Sequence, residues 1–276
     1  MSPHSEVRPS AVSGMFYPAD PGALRTQLKE LLSRSRPEER LGEVAGIIVP
    51  HAGYAYSGLT AAMGYSHLAG SDCKTVVLIA PSHRDFFDGV SVFPGDAYET
   101  PLGRVQVDAG LRTAVMEACP QITLSRKGHV GEHAIEVQLP FLQYLLPAFQ
   151  MVPLVVGHQT REICMGLGEC LARVLKGRSV LLVASSDLSH YHPSAVAERL
   201  DGTVAEAVKK FDPDGLMDII ESGAAEACGG GPIVAALVAL QKLSVRHITV
   251  VHRSTSADVT GDHNSVVGYL SAVAYN

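Results

Sequence analysis

The chain alternates short β-branched runs with stretches of helical spacing, and this alternation predicts most of its elements. GIIV (46–49), TVVLIA (75–80), MVPLVV (151–156) and SVLLVA (179–184) are apolar on nearly every position, as expected of strands covered on both faces. Between and after them, residues 57–69, 133–146, 161–176, 194–210, 213–222 and 232–243 carry helical spacing, with Pro140 implying a kink or break in the second. DGVSVFP (88–94) and GRVQVD (103–108), with a Pro-Leu-Gly turn region between them, predict an antiparallel excursion. HITVVHRS (247–254) and SVVGYLSAVAY (265–275) predict two closing strands. The pattern is that of an α/β sandwich whose central mixed, largely parallel sheet is flanked by helices. No repeat, low-complexity tract or linker divides the chain, and SRPEER (35–40) reads as a surface turn, so residues 1–276 are expected to form a single domain.

Three of the core strands end alike. GIIV runs into Pro50-His51, TVVLIA into Pro81-Ser82-His83, and SVLLVA into Ser185-Ser186-Asp187-Leu188-Ser189-His190. In open α/β sheets ligands bind in the crevice beyond the carboxyl ends of the strands. One loop histidine is more often a solvated or hydrogen-bonded group than a functional one. Three repeats of the same placement point to a shared site. His192, followed by Pro193, is expected to turn away into the next helix.

CGGGP (228–232) opens the apolar helix that follows it, and two readings stand. The glycine N–H groups and helix dipole can bias Cys228 toward thiolate, the metal-binding form; otherwise it is a glycine-rich turn with an inert thiol. EHAIE (132–136) sets His133 and Glu136 at helical i, i+3 spacing, where the carboxylate can orient the imidazole. His67, His158, His247 and His252 read as structural or surface residues, His263 as a loop residue and His4 as part of a frayed terminus.

Composition narrows the class. With 46% hydrophobic and 18% charged residues the chain is globular, and a net charge of −6 without a basic block speaks against nucleic acid as a partner. No apolar run reaches the ~20 residues of a membrane span. The N-terminus MSPHSEVRPS has no apolar signal core, and five scattered cysteines without CxxC spacing suggest reduced thiols. A cytoplasmic location is the expectation.

Taken together, SGMFYPAD (13–20), PHAGYAYSG (50–58), APSH (80–83), EHAIEVQLPFL (132–142), VPLVVG (152–157), SSDLSHY (185–191), CGGGP (228–232) and DHNSVVGYLSAVAY (262–275) resemble the Memo family. In prokaryotes this is the AmmeMemoRadiSam system protein B group. The resemblance implies the fold of class III (LigB-type) extradiol dioxygenases and a metal set of His51, His83 and Cys228. It also implies Asp187, His190 and His133 at the same pocket, with His190 or His133 as general base and Asp187 orienting the ligands. Tyr54, Ser82 and Gly229 are candidate substrate-binding residues. A cysteine stands where the dioxygenases hold a glutamate; the softer donor suits copper or iron, with zinc as a further option, and puts catechol cleavage in doubt. The resemblance therefore implies a metal-dependent oxidoreductase acting on a small-molecule or peptide substrate. The alternative is a non-catalytic adaptor that binds a peptide or small ligand in the same pocket. Association with radical-SAM and AMMECR1-type proteins follows from the group's name; no membrane partner is expected.

Overall fold

The computed structural model describes residues 6–37, 39 and 41–276. His4 lies outside them, as do Glu38 and Arg40 of the expected surface turn. The strands are β1 Val7–Arg8, β2 Val44–Val49, β3 Thr75–Pro81, β4 Val90–Val92, β5 Ala97–Thr100 and β6 Gly103–Val107. They continue with β7 Ile122–Leu124, β8 Gln150–Val156, β9 Leu181–Ser185, β10 His190–His192, β11 His247–Thr255 and β12 Val266–Tyr275. The helices are α1 Pro21–Ser33, α2 Tyr54–Tyr65, α3 Ala109–Ala118, α4 Leu139–Leu145 and α5 Arg161–Leu175. After them come α6 Ser194–Lys209, α7 Pro213–Glu221, α8 Gly230–Lys242 and the single turn α9 Ala257–Thr260.

All twelve strands join one mixed sheet, in the order β1-β5-β6-β8-β3-β9-β2-β12-β10, with β11 on β12 and β4 bridging β7 and β8. Its centre, β8-β3-β9-β2, is parallel, and β12 lies antiparallel beside β2. Alternate residues of these strands supply two apolar layers. Ile48, Val77, Ile79, Leu182 and Ala184 face α3, α5, α7 and α8, whereas Ile47, Val49, Val76, Leu78 and Val183 face α1, α2 and α4. Covering on both faces explains why the central strands are apolar throughout rather than alternating.

The register decides where the chemistry sits. Val49 pairs with Ser185, Ile79 with Ala184 and Pro81 with Val156, so the carboxyl ends of β2, β9, β3 and β8 are nearly level. The three strand-end sequences therefore leave the sheet side by side.

The structure departs from the expected elements in several places. Leu24, Leu28 and Leu31 bury one face of α1, a helix the hydrophobic pattern alone did not reveal; Asp20 caps it by accepting from the N–H of Ala23. The antiparallel partner of β6 is β5, not residues 88–94, because the Pro101-Leu102 turn joins β5 directly to β6. The helix expected over 133–146 begins only at Leu139, after a 3₁₀ turn over Glu136–Gln138. Pro140 sits in its first turn, where a missing N–H costs nothing, and causes no kink.

Finally, Cys119, at the end of α3, is disulfide-bonded to Cys170 on α5, although reduced thiols were expected. The α3–α5 packing brings their Cα atoms to 5.7 Å inside the core. The pair removes the ground on which the cysteine pattern pointed to a reducing compartment. Among the described residues, no helix is long and apolar enough to cross a membrane.

Two outcomes follow from this packing. Replacing Cys119 and Cys170 by serine opens a link across 51 residues and is expected to lower unfolding free energy by about 2–4 kcal/mol in a urea titration. His129 is fully buried, and burial pushes its pKa down to about 3. The unfolded chain takes up that proton near pH ~6.5 while the folded chain refuses it until about pH 3. Stability from this group is thus complete above pH ~6.5 and lost toward pH 3, at up to about 1.4 kcal/mol per pH unit. His129→Gln should flatten the acid slope of the urea midpoint by that amount.

Candidate metal centre

His51 lies two residues beyond β2, His83 two beyond β3 and Asp187 two beyond β9, so the parallel sheet delivers all three to one edge. Cys228 arrives from the other side, just before Gly229 caps α8. The loop between β7 and the 3₁₀ turn brings Glu132 and His133 over the same edge. The three rings of His51, His83 and His133 are mutual neighbours, with centroids 5.0, 5.3 and 4.7 Å apart.

The donor atoms can be assigned from their partners. The Ser185 hydroxyl gives its one proton to the carbonyl of Ala134 at 2.8 Å and accepts from Gln138 Nε2 at 2.9 Å. The orientation of the Gln138 amide is fixed in turn, because its Oε1 accepts from Tyr65 and its Nε2 also donates to the carbonyl of Pro50. Ser185 Oγ can therefore only accept from His51 Nδ1, 2.9 Å away. The proton of His51 sits on Nδ1, and the lone pair of Nε2 faces the site. Burial, then the charges of His133 and His83, hold the His51 pKa well below the usual imidazole range, so this lone pair stays free.

Glu132 does the same for the other two rings. Its Oε1 lies 3.0 Å from His83 Nδ1 and 3.1 Å from His133 Nδ1, and also accepts the backbone N–H of His133 and Ala134. Its Oε2 accepts the backbone N–H of His83 at 2.7 Å. Burial alone would raise this carboxyl; the bonds and charges of His133 and His83 overcome it and hold Glu132 well below the usual carboxylate range. Both rings thus carry their proton on Nδ1 and present Nε2 outward.

The ligand atoms of His51, His83 and Cys228 all lie within 4.8 Å of one another, with Cys228 Sγ 3.2 Å from His51 Nε2. Two imidazole lone pairs and one sulfur directed at a common point suit a transition metal. His83, Glu132 and His133 form a second group of the same compactness, but in it Glu132 serves the two histidines from behind.

The thiol itself differs from the thiolate reading of the sequence. Burial, then the charge of Asp187, pushes the Cys228 thiol above its ordinary range, overriding the helix terminus. In the absence of a cation it holds its proton, and metal binding would release it. Asp187 Oδ1 accepts the backbone N–H of His51 at 2.7 Å, and its own N–H points at Cys228 Sγ at 3.3 Å. The residue thus ties two strand-end loops to α8. Burial raises its carboxyl, while the His51 N–H and the charges of His190 and His133 oppose that rise.

The remaining candidates are placed as follows. His190, on β10 opposite Val267, is half-buried and close enough to bias both Asp187 and His51. His192 turns away and pairs with Glu226 at 3.0 Å. Tyr54 is buried beneath the site rather than at its mouth, its hydroxyl donating to the carbonyl of Val137 at 2.7 Å. The Ser82 hydroxyl closes the turn after β3 by donating to Asp85 O. The N–H of Gly229 donates to Ser186 Oγ, and a Cβ there would lie 2.3 Å from Ser185 O, so this glycine serves close packing of α8 on the β9 loop.

Glu136 is not the partner of His133, because residues 132–135 are not helical. It turns to the N-terminal segment, accepting from Ala11 N, Val12 N and Tyr17 OH and pairing with buried Arg8. The residues that sequence reasoning missed are Glu132, Gln138 and the Ser185–His51 bond. Only Glu132 had a signal, its adjacency to His133.

A family model described as Memo-like protein matches residues 8–273. The chain belongs to the Memo family. A MEMO1 family protein of Methanothermobacter thermautotrophicus is 36% identical over 272 residues, covering 95% of this chain and 98% of its relative. One from Sulfolobus acidocaldarius is 37% identical over 282 residues, covering 96% and 98%. The crystal structure of an uncharacterized protein from Escherichia coli K12 superposes with a TM-score of 0.56 at 16% identity, covering 85% of this chain and all of that one. It shares the fold. In this Memo family member the His/His/Cys group lies where the parallel strands end.

Glu132→Gln replaces a two-ring acceptor by an amide that can satisfy only part of the same contacts. Zinc affinity, measured by competition with a chromophoric chelator, is expected to fall about 10–100-fold.

Proposed function

We propose that this protein is a metal-dependent oxidoreductase related to the non-haem-iron extradiol dioxygenases, with His51, His83 and Cys228 as ligands. The observation that carries this reading is the set of imidazoles whose protons are held on Nδ1, by Ser185 for His51 and by Glu132 for His83, leaving Nε2 lone pairs beside Cys228 Sγ. A histidine that served packing alone would have no need of a ring orientation fixed by a dedicated hydrogen-bond network. The mixed nitrogen and sulfur donors suit Fe(II) or copper, and zinc as a third candidate. Such a metal would supply a Lewis-acidic, redox-active centre for a small-molecule or peptide substrate.

The chain's own residues have separable roles. His133 holds its proton on Nδ1 against Glu132 and keeps a free Nε2, which suits it to take a proton from a bound ligand. His190 lies on the Asp187 side of the cluster and is the second candidate base. Asp187 holds the His51 loop in place through its backbone N–H.

Metal analysis of protein prepared without a metal-affinity tag tests the reading. About one equivalent of iron, copper or zinc is expected, lost in His51→Ala and Cys228→Ala variants that keep their fold. No metal above background after anaerobic reconstitution would contradict it and favour a metal-free binding role.

A further inference from the structure

The fourth parallel strand, β8, ends level with β3, yet the metal group takes no residue from the loop that follows it. That loop reaches the site through Gln159. Its backbone is anchored on both sides of this residue. Gly157 N and His158 N donate to Gly89 O and Phe87 O at 3.1 and 2.9 Å, and Thr160 caps α5 by accepting from Ile163 N. From this base the half-buried Gln159 side chain crosses to the turn that carries Cys228. Its Nε2 donates to the carbonyl of Cys228 and its Oε1 accepts from Gly231 N, both at 2.7 Å. A carbonyl on one side and an N–H on the other fix the orientation of the amide.

The CGGGP sequence creates the need for this bridge. The helical ladder of α8 starts with Ile233 N donating to Gly229 O. One residue earlier the donor to Cys228 O would be Pro232, which has no N–H. Gly231 N lies in the first turn of α8, where the helix offers no acceptor. Gln159 satisfies both groups at once. The three glycines admit their neighbours closely. A Cβ on Gly229 would lie 2.3 Å from Ser185 O, and one on Gly230 would lie 2.3 Å from Ile220 Cδ1. On Gly231 it would lie 2.5 Å from Cys164 Sγ and 2.9 Å from Gln159 Oε1. Three successive glycines do little to restrict their own backbone, so the path of the turn depends on its hydrogen bonds.

Those bonds come from two sides. Cys228 N donates to Asp187 O at 3.2 Å and Gly229 N to Ser186 Oγ at 2.9 Å, which ties the turn to the loop after β9. Gln159 holds it from the loop after β8. Between the two anchors Cys228 Sγ stands 3.2 Å from His51 Nε2.

We infer that Gln159 is the positioning residue for Cys228. It holds the cysteine turn from the β8 side and so sets the separation of Sγ from the His51 ring. It acts through the backbone of Cys228 and Gly231 rather than on the sulfur. Its consequence for a sulfur–metal bond rests on the metal reading above, whereas the clamp itself is a property of the metal-free chain.

Gln159→Met keeps the bulk and removes both bonds; Gln159→Glu keeps an acceptor for Gly231 and removes the donor to Cys228. Arg161→Ala severs the exposed pairs of α5 with Asp214, Asp218 and Glu221 on α7, and controls for a general loosening of that helix. In metal-free protein, iodoacetamide labelling of Cys228, followed by peptide mass spectrometry, is expected to quicken at least about tenfold in Gln159→Met. It is expected to quicken less in Gln159→Glu and to keep the wild-type rate in Arg161→Ala. In cobalt-loaded protein the sulfur-to-cobalt charge-transfer band should weaken in Gln159→Met while the ligand-field bands persist, and zinc affinity should fall about tenfold. If Gln159→Met does not fold, the same readouts on Gln159→Glu decide. Unchanged labelling in the Gln159 variants, or an equal effect in Arg161→Ala, would overturn the inference. Gln159-dependent labelling in a wild-type protein without a cobalt–sulfur band would keep the clamp and remove the metal reading. An undiminished band in Gln159→Met would keep the metal reading and overturn the positioning role.

Discussion

Glu132 is a carboxylate buried at the end of a parallel sheet, and the site's geometry depends on its staying ionised there. Desolvation works against it. Two imidazole N–H groups and three backbone N–H groups converge on its oxygens and reverse the balance. An ionised acceptor then dictates where the protons of His83 and His133 sit, and so which nitrogen of each ring is free. Ser185 and Gln138 settle the same question for His51 with uncharged groups. The result is a set of lone pairs aimed at one point beside a sulfur, produced by the atoms behind the rings.

The anchoring extends further back. The loop that carries Glu132 and His133 is held by Arg8, whose guanidinium reaches the carbonyls of His129 and Glu132 and pairs with Glu136. Glu136 in turn collects the backbone N–H groups of Ala11 and Val12 and the hydroxyl of Tyr17. The N-terminal segment is therefore continuous, through buried polar contacts, with the loop that completes the site. Such a network rigidifies only when every member is satisfied, which makes it sensitive to single substitutions.

Much of this was legible in the residues. Apolar runs at 46–49, 75–80, 151–156 and 179–184 announced doubly covered strands, and the histidines after them marked the edge where ligands bind. What stayed hidden has a common physical cause. Periodicity reports burial, but not which oxygen an imidazole proton meets. EHAIE was therefore read as a helical pair, although the chain there is an extended turn whose histidine answers to the residue before it. α1 went unseen because its leucines occupy a narrow stripe on an otherwise polar segment. The residues around Cys228 left a thiolate and an inert thiol both open, and burial, which periodicity at that turn does not report, decides for the protonated form. The Cys119–Cys170 pair had no spacing signal, since the packing of two helices alone brings the sulfurs together.

In the proposed metal centre, two imidazoles and one thiolate hold the ion at this edge of the sheet. X-ray absorption of the zinc-loaded protein tests it most directly. Nitrogen scatterers at ~2.0–2.1 Å together with one sulfur at ~2.3 Å are expected, the sulfur disappearing in Cys228→Ser. A shell of nitrogen and oxygen alone in the wild-type protein, unchanged by that substitution, would contradict it.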